Sequence, residues 1–286
     1  MPAIGWYNGT IGRPEEMTVP MLDRAVYFGD GCYEACLAVG TRAFAIEKHL
    51  DRFYHSLSCL RIPFETDRET LKSTLFGCLA AADEDCSVLY WQVSRATAPR
   101  THAFPETDAK PNLMITVTPK RFLPADRAMR LITTEDIRYS MCHVKTLNLI
   151  PNVLASELAK ERGADEAVFV RDGFVTEGAH TNVHILLNGK FTTHPTDETI
   201  LAGVTRDVLL ELCADLGIPT AERAFTKDEL FEADEVLISS STLGVRRAGS
   251  VDGIPVGGRA EALWNTIRLA YRRAFEAEMD LHNEEN

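Results

Sequence analysis

Three stretches combine residue types that hold phosphates or carboxylates, and a fourth brings backbone and a phenol to one place. Gly203-Val204-Thr205 opens a predicted helix. Free backbone N–H groups and the positive end of the helix dipole favour a phosphate there, and Thr205 adds a hydroxyl; the same residues also make an ordinary helix cap. Ser239-Ser240-Ser241-Thr242 follows a strand-like run, and its hydroxyls either receive phosphate oxygens or close a turn. Arg100 and His102 stand between Pro99 and Pro105. An arginine matches a carboxylate with two parallel hydrogen bonds, although in a loop it is equally a solvated side chain. Phe28-Gly29-Asp30-Gly31-Cys32-Tyr33-Glu34 turns on two glycines and then enters a strand at Tyr33 and Glu34. Glycine permits backbone angles that bring a chain close to a ligand, though a plain turn needs it as well. No GxGxxG, Walker, HExxH or GxSxG pattern occurs, so the common nicotinamide, nucleotide and zinc-protease readings lack their motifs.

The elements that must position these residues alternate between strands and helices. Asn8-Gly9 turns a hairpin over Trp6–Ile11, and residues 24–39 contain a strand rich in Val, Tyr and Phe. Gly40-Thr41 leads to a second strand, Ala43–Ile46. A helix starts near Glu47 with Leu50, Phe53, Leu57 and Leu60 on one face, and another runs from Asp67 to Ala82 with Leu71, Leu75 and Leu79 inward. Strands are expected over 88–93, 113–117 and 129–134. Lys145 lies in a loop, and a helix follows from Pro151 to Arg162, closed by Gly163. Arg171-Asp172-Gly173 and Asn188-Gly189 turn two further hairpins. Val208, Leu209, Leu212 and Leu216 form the apolar side of the helix after Gly203; a strand spans 235–239 and a last helix 259–279. The result is a mixed α/β or α+β protein. Pro119–Pro124, with a proline at each end, separates a smaller N-terminal domain (1–118) from a larger C-terminal one (125–286) that carries Lys145.

The chain has 286 residues, of which 45% are apolar, enough for a full core. A net charge of -12 argues against nucleic-acid and anionic-membrane partners, which need basic surface. Seven cysteines without a Cys-x-x-Cys pair do not read as a disulfide framework, and Cys32 and Cys36 share one strand face; a reducing cytoplasm fits best. The N-terminus lacks the basic start and apolar run of a signal peptide, and no apolar run approaches a membrane span. Taken alone, the residues stop at a protein that binds a small anionic ligand.

Taken in order, the motifs say more. Phe28–Glu34, His49-Leu50-Asp51-Arg52-Phe53, Gln92-Val93-Ser94-Arg95 and the loop Pro99–Pro105 are followed by Glu135-Asp136-Ile137-Arg138 and Lys145-Thr146-Leu147-Asn148. Then come Thr176-Glu177-Gly178 with Asn182-Val183, and Ile200-Leu201 with Gly203–Asp207. Over nearly the whole chain this series resembles the class IV (fold-type IV) pyridoxal-phosphate aminotransferases, and among them most closely the D-amino acid aminotransferases.

The resemblance implies a two-domain, homodimeric enzyme with its active site between the domains and pyridoxal 5'-phosphate as cofactor. It would move an amino group from a D-amino acid of the D-alanine or D-glutamate type to a 2-oxo acid. Lys145 would hold the cofactor aldehyde as a Schiff base and, once free and neutral, carry the α-proton between Cα and the cofactor. Glu177 would pair with the protonated ring nitrogen. Arg52 would grip the phosphate together with Val204, Thr205, Ser240 and Ser241, and Leu201 would pack on the ring face. Arg138 would brace Lys145 or the phenolic-oxygen side. Tyr33, Arg100 and His102 resemble a substrate-carboxylate trap whose last two members come from the neighbouring subunit.

The chain departs from the D-specific pattern twice. Ala179-His180-Thr181 replaces a serine cluster; His180 either bonds the phenolic oxygen or a group behind it, or packs in its loop. Gly244-Val245-Arg246-Arg247-Ala248 replaces Glu-Ile-Thr-Pro-Val, so that Arg246 or Arg247 either faces an acidic substrate side chain or is a solvated pair. The rivals are a branched-chain L-aminotransferase, an (R)-amine transaminase, aminodeoxychorismate lyase and, from another class, a non-catalytic protein that binds small anions.

Overall fold

Every second side chain of Cys86–Ser94 is withdrawn from water: Leu89, Trp91 and Val93 are fully buried while Val88, Tyr90 and Gln92 are half-buried. That is the period of a strand with one face on a core. The computed structural model describes residues 3–106, 108–121 and 127–281. Its contacts divide the chain into two units, Met1–Arg121 with Val144–Asn148, and Phe122–His143 with Leu149–Asn286. Of the linker expected over 119–124, Pro119 closes a strand, while Phe122, Leu123 and Pro124 lie outside the described residues.

The first unit is an antiparallel sheet with helices on one face. Its strands are β1 (Ile4–Tyr7), β2 (Thr10–Gly12), β3 (Gly31–Val39), β4 (Arg42–Ala43), β5 (Cys86–Ser94) and β6 (Asn112–Pro119), in the order β2-β1-β6-β5-β3-β4. Its helices are α1 (Arg24–Phe28), α2 (Ile46–Cys59) and α3 (Arg68–Ala82). Leu50, Phe53 and Leu57 of α2 and Leu71, Leu75 and Leu79 of α3 pack on Cys32, Cys36, Leu89, Trp91 and Ile115 of the sheet. Full burial of each large apolar side chain stabilises the fold by about 1.5–3 kcal/mol. Asp67 caps α3, its carboxylate accepting from the Thr70 N–H at 2.9 Å.

Two expectations change here. The strand expected within 24–39 is present but begins only at Gly31; residues 24–28 form a single helical turn, as the Asp23 carboxylate accepts from Ala25 N–H at 2.8 Å and Gly29, at φ +60°, ends the turn. Val26, 62% exposed, has no sheet face to fill. The strand expected over 43–46 is confined to Arg42–Ala43, because α2 already starts at Ile46.

The second unit carries β7 (Met129–Glu135), α4 (Ile150–Glu161), β8 (Glu166–Arg171), β9 (Phe174–Gly178), β10 (Asn182–Leu187), β11 (Lys190–Thr193) and α5 (Val204–Asp215). It continues through β12 (Thr220–Glu222), β13 (Phe225–Thr226), α6 (Lys227–Glu232), β14 (Glu235–Ser240), β15 (Gly244–Val251), β16 (Ile254–Pro255) and α7 (Glu261–Glu278). The sheet order is β12-β11-β10-β14-β15-β7-β8-β9-β13, with β16 on β15. β7 pairs in parallel with both β15 and β8, and α4 makes the crossover to β8. Asn188 and Gly189, both at positive φ, turn β10 into β11 as expected. Leu209 and Cys213 of α5 and Trp264 and Ile267 of α7 pack on Leu186, Phe191, Leu237 and Val245. Leu216, assigned to that apolar side, is 43% exposed because it is the C-cap of α5, one turn past the buried stripe. Residues 244–251, unassigned in the sequence, form a central strand. No helix among the described residues is long and apolar enough to cross a membrane.

Candidate active site

Val144–Asn148 lies against the first unit because two positions there carry no side chain. A Cβ on Gly29 would sit 2.9 Å from Asn148 Oδ1, and one on Gly31 would collide with the Val93 carbonyl and the Leu147 side chain. With both bare, the segment runs antiparallel to the start of β3. Tyr33 N–H donates to the Lys145 carbonyl (2.9 Å), Leu147 N–H to the Gly31 carbonyl (3.1 Å), and Cys32 pairs with Thr146. Lys145 N–H also donates to the buried Ser56 hydroxyl of α2 at 3.3 Å. The lysine is thus fixed by its backbone, and its Nζ stands 4.2 Å from the centre of the Tyr33 ring. Tyr33 in turn stacks on Tyr90 at 5.4 Å.

One residue after Tyr33, on the helix-facing side of β3, Glu34 is completely buried. Arg52 of α2 donates to it with both arms of its fork, Nε to Oε1 at 2.7 Å and Nη2 to Oε2 at 2.8 Å. His49, one helical turn earlier, places Nδ1 2.7 Å from Oε2. Burial alone would raise the Glu34 pKa, but the charge of Arg52 and the hydrogen bonds from Arg52 and His49 outweigh it and hold the carboxyl well below its usual range. Burial lowers the His49 pKa despite Glu34, so a neutral imidazole donates from Nδ1. Neither Glu34 nor His49 is singled out as a functional group by the sequence; their signal is only the three-residue step from His49 to Arg52.

The loop with Arg100 and His102 is exposed and pinned at several points to its own unit. Buried Arg24 joins Asp30 (2.7 Å) and the Thr101 carbonyl (2.7 Å), and Arg95 grips Asp30 and lies 3.8 Å over the Phe104 ring. Asp30 of the glycine turn therefore serves this network. Arg100 and His102 lie over Phe28, at 5.1 and 5.4 Å, and neither bonds to Tyr33 among the described residues.

In the second unit Glu177, near the end of β9, is held from both sides. Arg138 Nη1 donates to Oε1, while Oε2 accepts from Asn182 Nδ2 (3.2 Å) and Leu201 N–H (3.0 Å). Asn182 Nδ2 also donates to the Leu201 carbonyl at 2.9 Å, tying Leu201 to the carboxylate. The resemblance puts Arg138 beside the lysine or the phenolic oxygen; its guanidinium bonds two carboxylates, and also Thr176 Oγ1 at 3.2 Å. Nε and Nη2 meet Asp136 at 2.9 Å each, Nη2 also reaches the Thr199 carbonyl, and Phe169 lies 4.4 Å below the guanidinium. Burial opposes the charge on Arg138, but Asp136 and Glu177 more than offset it and raise its pKa.

His180 is 57% exposed at its side chain, and its Nδ1 lies 2.9 Å from Oε2 of fully buried Glu166. Glu166, which the sequence did not flag, also accepts from Thr181 Oγ1 at 3.0 Å and so shapes the turn between Glu177 and Asn182. At the N-terminus of α5 no side chain caps Gly203. Thr205 is buried beside the Tyr271 phenol, and Ser240 Oγ is buried with no hydrogen-bond partner among the described residues. Ser241 follows at the end of β14. Arg246 and Arg247 are not a solvated loop pair. They sit in β15 with opposite orientation, Arg246 buried and Arg247 bonded to Glu261 of α7 at 2.5 Å.

A family model described as amino-transferase class IV matches residues 31–251. D-alanine aminotransferase from Bacillus licheniformis is 36% identical over 275 residues, covering 95% of this chain and 97% of that protein. The one from Staphylococcus haemolyticus is 35% identical over 273 residues, covering 94% and 97%. Among solved structures, a branched-chain aminotransferase from Thermoproteus uzoniensis with norvaline superposes with a TM-score of 0.87 at 22% identity, covering 99% of this chain and 97% of that one. The branched-chain amino acid aminotransferase from Escherichia coli gives 0.86 at 20%, covering 100% and 98%. At these identities the structural likeness speaks for the fold.

Proposed function

Because the chain belongs to the class IV aminotransferases, we propose that it transfers an amino group from a D-amino acid to a 2-oxo acid with pyridoxal 5'-phosphate as cofactor. The observation that carries this reading is the Lys145 amine 4.2 Å from the Tyr33 ring, on backbone bonded to the same strand. It supports a reading in which Lys145 is the proton carrier and the Tyr33 phenol receives a substrate carboxylate. The D preference rests on relatives named D-alanine aminotransferase that match this chain nearly end to end.

The residues present fit the cofactor. An uncapped α5 N-terminus together with the partnerless hydroxyl of Ser240 suits a phosphate, and Arg52, held by Glu34, supplies a fixed cation. When bound, the cofactor supplies an electron sink for the bond between Cα and its proton. Lys145 would hold the cofactor, and its amine would carry that proton. Glu177 would hold the ring nitrogen, Leu201 the ring face, and Arg52, Val204, Thr205, Ser240 and Ser241 the phosphate. In this reading the chain is a two-domain enzyme whose interdomain linker is 119–124. Tyr33 receives the substrate carboxylate with Arg100 and His102 supplied by a second copy of the chain, so the working form is a homodimer. Arg246 is the candidate for contact with an acidic substrate side chain. Seven free cysteines fit a reducing cytoplasm.

The test is a half-reaction without acceptor. D-alanine, D-glutamate, L-leucine and (R)-1-phenylethylamine are added separately to the cofactor-loaded protein, and loss of its visible absorption band is followed. The band is expected to fall with the D-amino acids alone. A response to L-leucine or the amine instead overturns the substrate assignment, and a colourless protein overturns the cofactor.

A further inference from the structure

The geometry around Glu177 points to a role for Arg138: we propose that its guanidinium keeps Glu177 an anion and thereby keeps the proton on the cofactor's ring nitrogen. Arg138 acts through Glu177 and is a positioning residue; the inference rests on the reading of the site given above.

The guanidinium is immobilised. Asp136 takes Nε and Nη2 in a planar fork, the Thr199 carbonyl takes Nη2 from another direction, and Phe169 closes the face of the group. Asp136 is itself held by Arg171 (3.1 Å) and by Thr176 Oγ1 (3.0 Å), so it does not release Arg138. What that fork leaves, Nη1, is aimed at Glu177 Oε1. A purely structural arginine would be satisfied by Asp136; the contact to Glu177 is additional. Asn182 Nδ2 and the Leu201 N–H also donate to Glu177, both of them neutral groups. Charged or titratable groups of this cluster include Arg138, Asp136, Cys142 and, bonded to Asp136, Arg171. Arg138 is a cation in direct contact with this carboxylate.

The consequence concerns a single proton shared by two groups, the Glu177 carboxylate and the ring nitrogen. A neighbouring cation lowers the proton affinity of both, but most strongly that of the group it touches. With Arg138 in contact with Glu177, the proton stays on nitrogen and the ring remains a strong electron sink. Without it, Glu177 is left beside Asp136, a second carboxylate. Like charge raises its proton affinity, and the proton passes from nitrogen to Glu177 with no other bond made or broken.

The experiment loads wild type, Arg138→Gln and Arg138→Lys with cofactor carrying 15N in the ring, and reads the nitrogen chemical shift without substrate. The wild-type signal is expected at the protonated position. In Arg138→Gln it moves toward the unprotonated position, and kcat for D-alanine falls roughly tenfold per unit of proton affinity transferred while KM holds. An Arg138→Gln protein that keeps the wild-type shift overturns the inference whatever its activity, since a structural arginine would lower activity without moving the nitrogen signal. Where Arg138→Gln does not fold, Arg138→Lys decides: it keeps a charge and is expected to keep the protonated signal, and an unprotonated signal there overturns the role given to charge. A wild-type protein that takes up no cofactor overturns the proposed function, and this inference falls with it.

Discussion

The two units each carry a charge cluster, and the clusters are built with opposite sign. In the first, a buried acid, Glu34, holds a cation, Arg52, by both arms, with neutral His49 as third member. In the second, a buried cation, Arg138, holds an acid, Glu177, with Asp136 as third member. Each time the more deeply fixed residue carries the charge opposite to that of the group proposed to meet the ligand. The supports differ as well. Arg52 and Glu34 stand on a helix and a strand, so their cluster is part of a core. Arg138 stands in irregular chain after β7, and its cluster adjusts the electronic state of one carboxylate. The first cluster should therefore fail in stability and cofactor retention, and the second in rate.

Substitutions at the two clusters should separate along that line, with Lys145 setting the scale. Lys145→Ala is expected to cost on the order of 10²–10⁴-fold or more in kcat, because neither cluster replaces its proton transfer. Turnover of D-alanine measures this, and a mild loss would mean the clusters, not the amine, carry the chemistry. Glu34→Ala comes next. It takes the Glu34 carboxylate from a largely buried arginine and should lower stability by about 3–5 kcal/mol, read by urea denaturation, with weaker cofactor retention. A normal stability with reduced kcat would erase the difference between the two clusters.

Acid sharpens the same contrast. Both Glu34 and His49 have folded pKa values below their ordinary 4.5 and 6.5. For each, the unfolded chain binds a proton first, so stability is lost as pH falls. The loss from His49 begins below about 6.5 and that from Glu34 below about 4.5. The stability gap between wild type and Glu34→Ala should accordingly shrink once the pH drops below 4.5, and a gap unchanged at pH 3.5 would contradict the assignment.

Smaller effects are expected away from the clusters. Arg100→Ala removes a charge-assisted contact worth about 1.5–3 kcal/mol, so kcat/KM should fall about 10- to 100-fold with cofactor affinity unchanged. Arg247→Ala breaks only a surface pair and should cost less than about 1 kcal/mol, leaving the ratio of D-glutamate to D-alanine turnover as it was. A change in that ratio is expected only from Arg246→Ala.

Local chemistry was legible in the sequence wherever neighbours in the chain decide the outcome. The Asn188-Gly189 hairpin, the Leu50-Phe53-Leu57 face of α2 and the α5 start at Gly203 need only near residues. Val26, Tyr27 and Phe28 misled because their strand propensity is overridden by the Asp23 cap and the Gly29 stop. Arg246-Arg247 could be read as substrate-facing or solvated because nothing in two adjacent arginines reveals that a central strand buries the first and pairs the second with α7. The partners of the key charges were the least legible. Glu34 with Arg52, and Arg138 with Glu177, are joined across 18 and 39 residues, distances over which one sequence carries no pairing signal. Glu166 stayed hidden for the same reason, since its work is to receive Thr181 and His180 from another strand's end.

The measurement that tests the account most directly is borohydride reduction of the cofactor-loaded protein, followed by digestion and mass analysis of the peptides. Reduction fixes the cofactor to the amine that holds it. The account predicts the added mass on Lys145 in the peptide containing Thr146-Leu147-Asn148, with none on Lys145→Ala. Label on another lysine, or no label on a protein that binds the cofactor, would contradict it.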